Sequence, residues 1–228
     1  TPFDLDKKVI EYAIAKKDRL SAMSLESFAD LLSTDTPAPG GGSVAAFCAA
    51  LSAALTAMVS NLTINKKGYE SVQNQVREIA PQAQDIKLQA IQLIDEDTDA
   101  FNAMMDASRL PKKTEEEIAL REQKIEEATK QAILVPFHTL EIALQALKLA
   151  DEVAKVGNMN ALSDAGTAAL TALTAAKAAN YNILINLPQI KDEAFKEDIN
   201  NRAMNLLQES ETLASQIESF VSDRLKNA

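Results

Sequence analysis

The chain has 228 residues, a formal net charge of −10, 46% hydrophobic residues, 4% aromatic residues and no tryptophan. That length suits one domain with a sizeable core, and the acidic balance with few stacking aromatics speaks against nucleic acid or an anionic membrane surface as partners. Cys48 is the single cysteine, so no intrachain disulfide can form and secretion gains no support. A cytoplasmic protein handling a small molecule is expected.

Helical periodicity runs through almost every long segment, and no stretch alternates convincingly as a strand. A first helix is expected over 4–20, where charged and apolar residues alternate at helical spacing unlike a signal peptide. A short helix follows over 25–32. The loop over 34–42 then runs through Pro37-Ala38-Pro39-Gly40-Gly41-Gly42 to Ser43, so three of the six glycines sit side by side at a helix entrance. Glycine lets a ligand approach the backbone closely, and the first helical turn offers unpaired N–H groups. No Gly-Lys-Ser/Thr follows, so this is not a P-loop. The plainer reading is a turn with Ser43 as N-cap.

An alanine-rich helix is expected over 43–62. Ala45/Ala46, Ala49/Ala50, Ala53/Ala54 and Ala57 recur every four residues and form a small-residue ridge suited to close packing. Its apolar run over 44–59 is shorter than the ~20 residues a spanning helix needs. A loop near 65–68 leads to a long helix over 69–107, which Pro81 should start, break or kink. Thr114 and Glu117 form a capping box for a helix ending at Gly157 in the usual glycine manner. At ~1.5 Å per residue it would be roughly 60 Å long, bent at Pro136. A second alanine-rich helix over 163–185 carries Ala161, Ala165, Ala169, Ala172 and Ala176 on one side. Pro188 is expected to start a last helix reaching about 225. One all-α domain over 1–228, an up-and-down bundle of long antiparallel helices, follows.

Catalytic side chains are scarce. His138 is the only histidine, two residues after a helix proline where a structural role is expected, so no Ser-His-Asp arrangement is read from it; a multi-histidine metal site cannot be built, and no metal is required. Cys48 reads as a small core residue. Acid–base work must fall to carboxylates, lysines or a tyrosine tuned by burial. Asp95, Glu96, Asp97 and Asp99 cluster in the long helix. Asp95 and Asp99 are i,i+4 neighbours, whereas Asp97 lies near the apolar face of Leu93, Ile94, Phe101 and Met104, where burial would raise its pKa. The alternative is a solvated acidic face. A second loop-to-helix junction over 157–166 includes Asn160 and places Ser163 and Asp164 at a helix entrance, either as caps or as the facing wall of one cleft. Asn180, Asn182 and Asn186 recur along that helix and need polar partners. Lys66 and Lys67, beside Tyr69, form one of the few basic spots and suit an anionic tail.

These segments together resemble the cyclodeaminase/cyclohydrolase family, that is, the C-terminal half of formiminotransferase-cyclodeaminase and its free-standing bacterial relatives. The resemblance rests on Ser24-Leu25-Glu26-Ser27-Phe28 leading to the Pro37–Ala46 stretch, Asn61-Leu62-Thr63 with Lys67 and Tyr69, and Asp97-Thr98-Asp99-Ala100-Phe101. It continues through Arg109-Leu110-Pro111, Val135-Pro136, the 157–166 stretch, Asn182 and Ile185-Asn186-Leu187. It covers about 24 to the C-terminus; residues 1–23 lie outside it. Ala178, where relatives often carry glycine, and Pro81, inside a helix usually continuous, are small departures.

The resemblance implies an all-helical homodimer acting on one-carbon-substituted tetrahydrofolate, with no cofactor beyond the tetrahydrofolate-bound substrate and with a formiminotransferase as a partner. It implies cyclisation of 5-formiminotetrahydrofolate to 5,10-methenyltetrahydrofolate with loss of ammonia. The alternative is methenyltetrahydrofolate cyclohydrolase, and a non-catalytic helical scaffold is the reading from another class. Asp164 and Asp97 are expected as the acid–base or pterin-holding pair. Gly40, Gly41, Gly42, Ser43, Lys66, Lys67, Tyr69, Asn160, Ser163, Asn182 and Asn186 are expected to meet the substrate.

Overall fold

A computed structural model describes residues 19–227; the helix expected over 4–20 lies almost wholly outside the described residues. Among the described residues a 3-10 turn at Leu20–Ala22 precedes six α-helices: α1 Leu25–Leu32, α2 Gly41–Thr63, α3 Gln73–Ser108, α4 Glu115–Val156, α5 Leu162–Asn186 and α6 Glu193–Lys226. From α2 to α6 the chain runs up and down, as the short turns dictate. Gly41 at the start of α2 faces Asn182 near the end of α5, while the Asn158 N–H just before α5 donates to Thr63 Oγ1 at the end of α2. The two alanine-rich helices are therefore antiparallel neighbours.

Their small-residue faces make the centre of the core. Ala45, Ala46, Ala49, Ala53 and Ala57 of α2 and Ala165, Ala168, Ala172, Ala176 and Ala179 of α5 are buried. Ile133, Leu140, Ile142 and Leu147 of α4 are buried in the same core. Cys48 is only half-buried, and burial pushes its thiol up, which makes it a poor nucleophile.

Several helix ends differ from the sequence expectation for local reasons. Gly40, not Ser43, is the N-cap of α2, because two glycines continue into the first turn. Ser163 and Asp164 are likewise not caps: α5 starts at Leu162 after a 3-10 turn that Asn158 closes by accepting the Asn160 N–H. The last helix starts at Glu193 with Asp192 accepting the Phe195 N–H, and Pro188 sits in the preceding 3-10 turn Leu187–Gln189. Pro81 and Pro136 both lie inside continuous helices. Pro81 is exposed, so water can satisfy the carbonyl that its missing N–H would have met. The capping box of α4 forms with both arms, Glu117 N–H to Thr114 Oγ1 at 3.2 Å and Thr114 N–H to Glu117 Oε2 at 3.3 Å.

Gly157 ends α4 with φ −73°, not in the left-handed region. Close approach is what requires glycine there, since a Cβ would lie 2.5 Å from the Val153 carbonyl oxygen and 2.8 Å from Val59 Cγ1.

The helix predicted over 43–62 is 23 residues long as built, Gly41–Thr63, so α2 is long and apolar enough to cross a membrane by length and composition, as is α4. In each, 61% of the apolar window is buried inside the protein. Both are core helices of the bundle.

Candidate active site

The first turn of α2 presses on the middle of α3. A Cβ on Gly42 would lie 2.5 Å from Asp97 Cγ and 2.8 Å from Oδ2, with Oδ1 closer still, so only glycine leaves room for this carboxylate. Ser43, in the same turn, donates its hydroxyl to Asp97 Oδ2 at 2.9 Å. Asp97 is half-buried beside Phe101. Burial pushes its carboxyl above the ordinary range, while the Ser43 hydroxyl and backbone N–H pull the other way without cancelling the effect. This is the direction expected from the apolar face of α3.

The other acidic residues of that cluster have different fates. Asp95 is 6% exposed and accepts from the Ser21 N–H at 3.2 Å and the Ser21 hydroxyl at 2.5 Å, with Arg19 at 3.6 Å. It ties the segment before α1 to α3. Glu96 and Asp99 are exposed.

Asn182 and Asn186 of α5 face the same opening. Asn182 Nδ2 donates to the Ala178 carbonyl at 2.8 Å, and Asn186 Nδ2 to the Asn182 carbonyl at 3.0 Å and the Ala132 carbonyl at 3.4 Å. Both carboxamide oxygens are left to accept from a ligand N–H, and Asn182 keeps one N–H to donate. Together these groups line a cavity of about 310 Å³, walled by Pro37, Ala38 and Gly40 to Gly42 on one side and by Phe101 and Met104 on another. Ala132, Ile185 and Gln189 lie in the same wall, and among the described residues Asp97 is the one ionisable side chain in the lining. The cavity combines an apolar floor, acceptors from two asparagines, the open first turn of a helix and a half-buried carboxyl. It suits an uncharged or cationic heterocycle with N–H donors.

The remaining expected site residues lie elsewhere. Because α2 and α5 are antiparallel, their entrances are at opposite ends of the bundle, about 33 Å apart for a 23-residue helix. The expectation that they form facing walls of one cleft does not hold within a chain, and Asp164 does not meet Asp97. Asp164 is half-buried in the first turn of α5, and Asn160 and Ser163 are exposed beside it. At this end Tyr69 Oη accepts the Met159 N–H at 2.9 Å, with half-buried Lys66 and exposed Lys67 nearby in sequence. Tyr69, Gly157 and Met159 line a separate cavity of about 290 Å³ with Lys155 and Arg224.

Sequence reasoning missed Met104, Ala132 and Gln189 as wall residues. Gln189 follows a Leu-Pro turn signal that could have placed it, whereas an alanine in mid-helix carries no signal.

The model of the family described as formiminotransferase-cyclodeaminase matches residues 24–205. A methenyltetrahydrofolate cyclohydrolase of Methylorubrum extorquens is 37% identical over 202 residues, covering 89% of this chain and 97% of that protein. The mouse formimidoyltransferase-cyclodeaminase is 36% identical over 217 residues, covering 94% of this chain but 40% of its own length. Among solved structures, the formiminotetrahydrofolate cyclodeaminase of Thermotoga maritima superposes with a TM-score of 0.77 at 28% identity, over 92% of this chain and 98% of that one. With its family match spanning most of the sequence and its helical architecture shared, this chain belongs to the formiminotransferase-cyclodeaminase family of folate one-carbon proteins.

Proposed function

We propose that this protein is a formimidoyltetrahydrofolate cyclodeaminase that forms 5,10-methenyltetrahydrofolate and ammonia in the Gly42–Asp97–Asn182 cavity. The observation that carries the reading is the carboxyl of Asp97, held against the α2 backbone by Ser43, with its pKa raised. A carboxyl whose pKa burial raises is better matched to taking a proton and giving it back than an ordinary surface carboxylate.

The chemistry needs that exchange. N10 attacks the protonated formimino carbon on N5, forming the N10–C bond and leaving a proton on N10. Asp97 accepts this proton and delivers it to the amino group on the same carbon. The C–N bond then breaks, ammonia leaves with the electron pair, and the amidinium charge spreads over N5 and N10. Net charge is unchanged, and the Asp97 carboxylate lies beside the cation formed. Asn182 and Asn186 would accept from pterin N–H groups, and the cavity supplies the proximity that cyclisation requires.

The cyclohydrolase reading uses the same site, with water attacking the methenyl carbon and Asp97 taking its proton. The likeness to the Methylorubrum protein along nearly its whole length favours keeping it as the second reading.

A homodimer fits the surface of α2. This helix has no charged residue, yet Leu51, Met58 and Leu62 are exposed along a 4-3 spaced stripe with half-buried Cys48 and Leu55. Apolar residues at this spacing make a helix-pairing seam. Antiparallel pairing through the stripe would bring the Lys66, Lys67 and Asp164 end of a second copy toward the cavity, whose lining among the described residues holds no cation for a folate carboxylate. A formiminotransferase partner would supply the formimino substrate. Asp97→Asn tests the catalytic assignment: turnover should fall at least about a hundredfold, and full turnover would remove it.

A further inference from the structure

We infer that Glu126 of α4 is a positioning residue for the α5 wall of the cavity, an assignment that rests on the functional reading above for its consequence but not for its geometry. The wall residues Asn186 and Gln189 are the last residue of α5 and the last residue of the 3-10 turn behind it, beyond which no helix holds the chain until Glu193. Two residues past Gln189, the Lys191 N–H donates to both Glu126 carboxylate oxygens at 3.1 and 3.2 Å, and the Asp192 N–H donates to Oε1 at 3.1 Å. One turn to either side on α4, Glu122 pairs with Lys191 Nζ at 2.7 Å and Lys130 Nζ with Asp192 Oδ2 at 2.7 Å.

Glu122, Glu126 and Lys130 share one face of α4 at i, i+4 spacing and grip the turn from outside. Asn186 Nδ2 reaches the Ala132 carbonyl of the same helix from inside. The turn is thus fixed to α4 on both sides, and the two ties flank Gln189. The Glu122–Lys191 pair is exposed and weak on its own, and the Lys130–Asp192 pair is only partly shielded. The backbone N–H groups gathered on one carboxylate are charge-assisted and set the path of the chain. Buried Leu187 and Ile190 anchor the turn in the core, and loss of Glu126 frees residues 191–192 beyond it, which loosens Gln189 and Asn186 from the geometry the ligand needs.

The test uses Glu126→Ala, Glu126→Gln and, as a control that removes only an ion pair, Lys191→Ala. Hydrogen exchange over 186–192 is measured without ligand, and the Kd for 5-formyltetrahydrofolate is measured beside it. Glu126→Ala is expected to speed exchange about tenfold and to weaken binding about fivefold. Glu126→Gln, whose carboxamide oxygen still accepts, should recover most of both, and Lys191→Ala should change neither by more than about twofold. Unchanged exchange in Glu126→Ala overturns the assignment, as does faster exchange with unchanged affinity. A wild-type protein that binds no folate refutes the functional reading instead, and the exchange result then decides the clamp alone.

Discussion

Gly42→Ala is the sharpest perturbation available, because it adds one methyl group and should act only through Asp97. The new Cβ would lie 2.5 Å from Asp97 Cγ and 2.8 Å from Oδ2, against the 3.4 Å where ordinary contact begins. With Oδ1 closer still, the carboxyl must retreat by at least about 1 Å, and the 2.9 Å bond from Ser43 cannot survive that shift intact. Misplacing a reacting group by about 1 Å costs on the order of a hundredfold in rate, which is about 2.7 kcal/mol of transition-state stabilisation. Stability should change much less. Alanine gains roughly 0.5–1 kcal/mol over glycine inside a helix, and overpacking costs about 1–3 kcal/mol. The assay is kcat/KM with 5-formiminotetrahydrofolate, together with thermal unfolding and the same substitution in an Asp97→Ala background. The single variant should lose about a hundredfold in kcat/KM. In the Asp97→Ala background the added methyl should change activity by less than about threefold, the non-additivity expected of one shared mechanism. A Gly42→Ala protein with wild-type kcat/KM would refute the reasoning, as would a full additive loss in the double variant.

Other outcomes follow from the same geometry. The raised carboxyl of Asp97 binds its proton more tightly in the folded than in the unfolded protein. Its stabilising contribution is therefore present below the unfolded pKa and lost as pH rises through the folded one. Asp97→Asn should accordingly raise Tm at pH 7 relative to wild type but not at pH 3, while abolishing turnover; thermal scans across pH check the sign. Asp95→Ala leaves the Ser21 N–H and hydroxyl without their acceptor, and urea unfolding should show a loss of about 1.5–3 kcal/mol. Gly157→Ala, at the other end of the bundle, should destabilise by roughly 1–3 kcal/mol through contacts with Val153 and Val59. Replacing Met58 with glutamate should shift the protein to monomer in sedimentation without unfolding it, since the side chain is exposed in a single chain.

Most of the helices were legible because their signals are local. The capping box at Thr114 and the alanine ridges at four-residue spacing need no tertiary information, and α1 begins and ends at the predicted residues. The raised carboxyl of Asp97 was legible for a related reason: helical geometry turns it from Asp95 and Asp99 toward the apolar side. What failed was the pairing of distant elements. Two glycine-containing junctions, each feeding an alanine-rich helix, look alike in sequence, but chain direction alone decides whether they meet. Five helices running up and down put α2 and α5 antiparallel, so Asp164 lies a helix length from Asp97. The role of Gly42 was only half-visible. Its freedom suggested backbone approach by a ligand, whereas the structure brings a carboxylate of the same chain into that space. Asp95 carried no signal for its partner Ser21, which lies 74 residues away.

The central claim is best tested by following methenyltetrahydrofolate absorbance with the purified protein, once from 5-formiminotetrahydrofolate and once from methenyltetrahydrofolate, with Asp97→Asn beside the wild type. Appearance of the methenyl band with matching ammonia release, lost in Asp97→Asn, is the result this account predicts. Accelerated decay of the band alone, lost in the same variant, would keep the site and exchange the reaction for the cyclohydrolase. Neither response in the wild type, together with no binding of 5-formyltetrahydrofolate, would contradict the account.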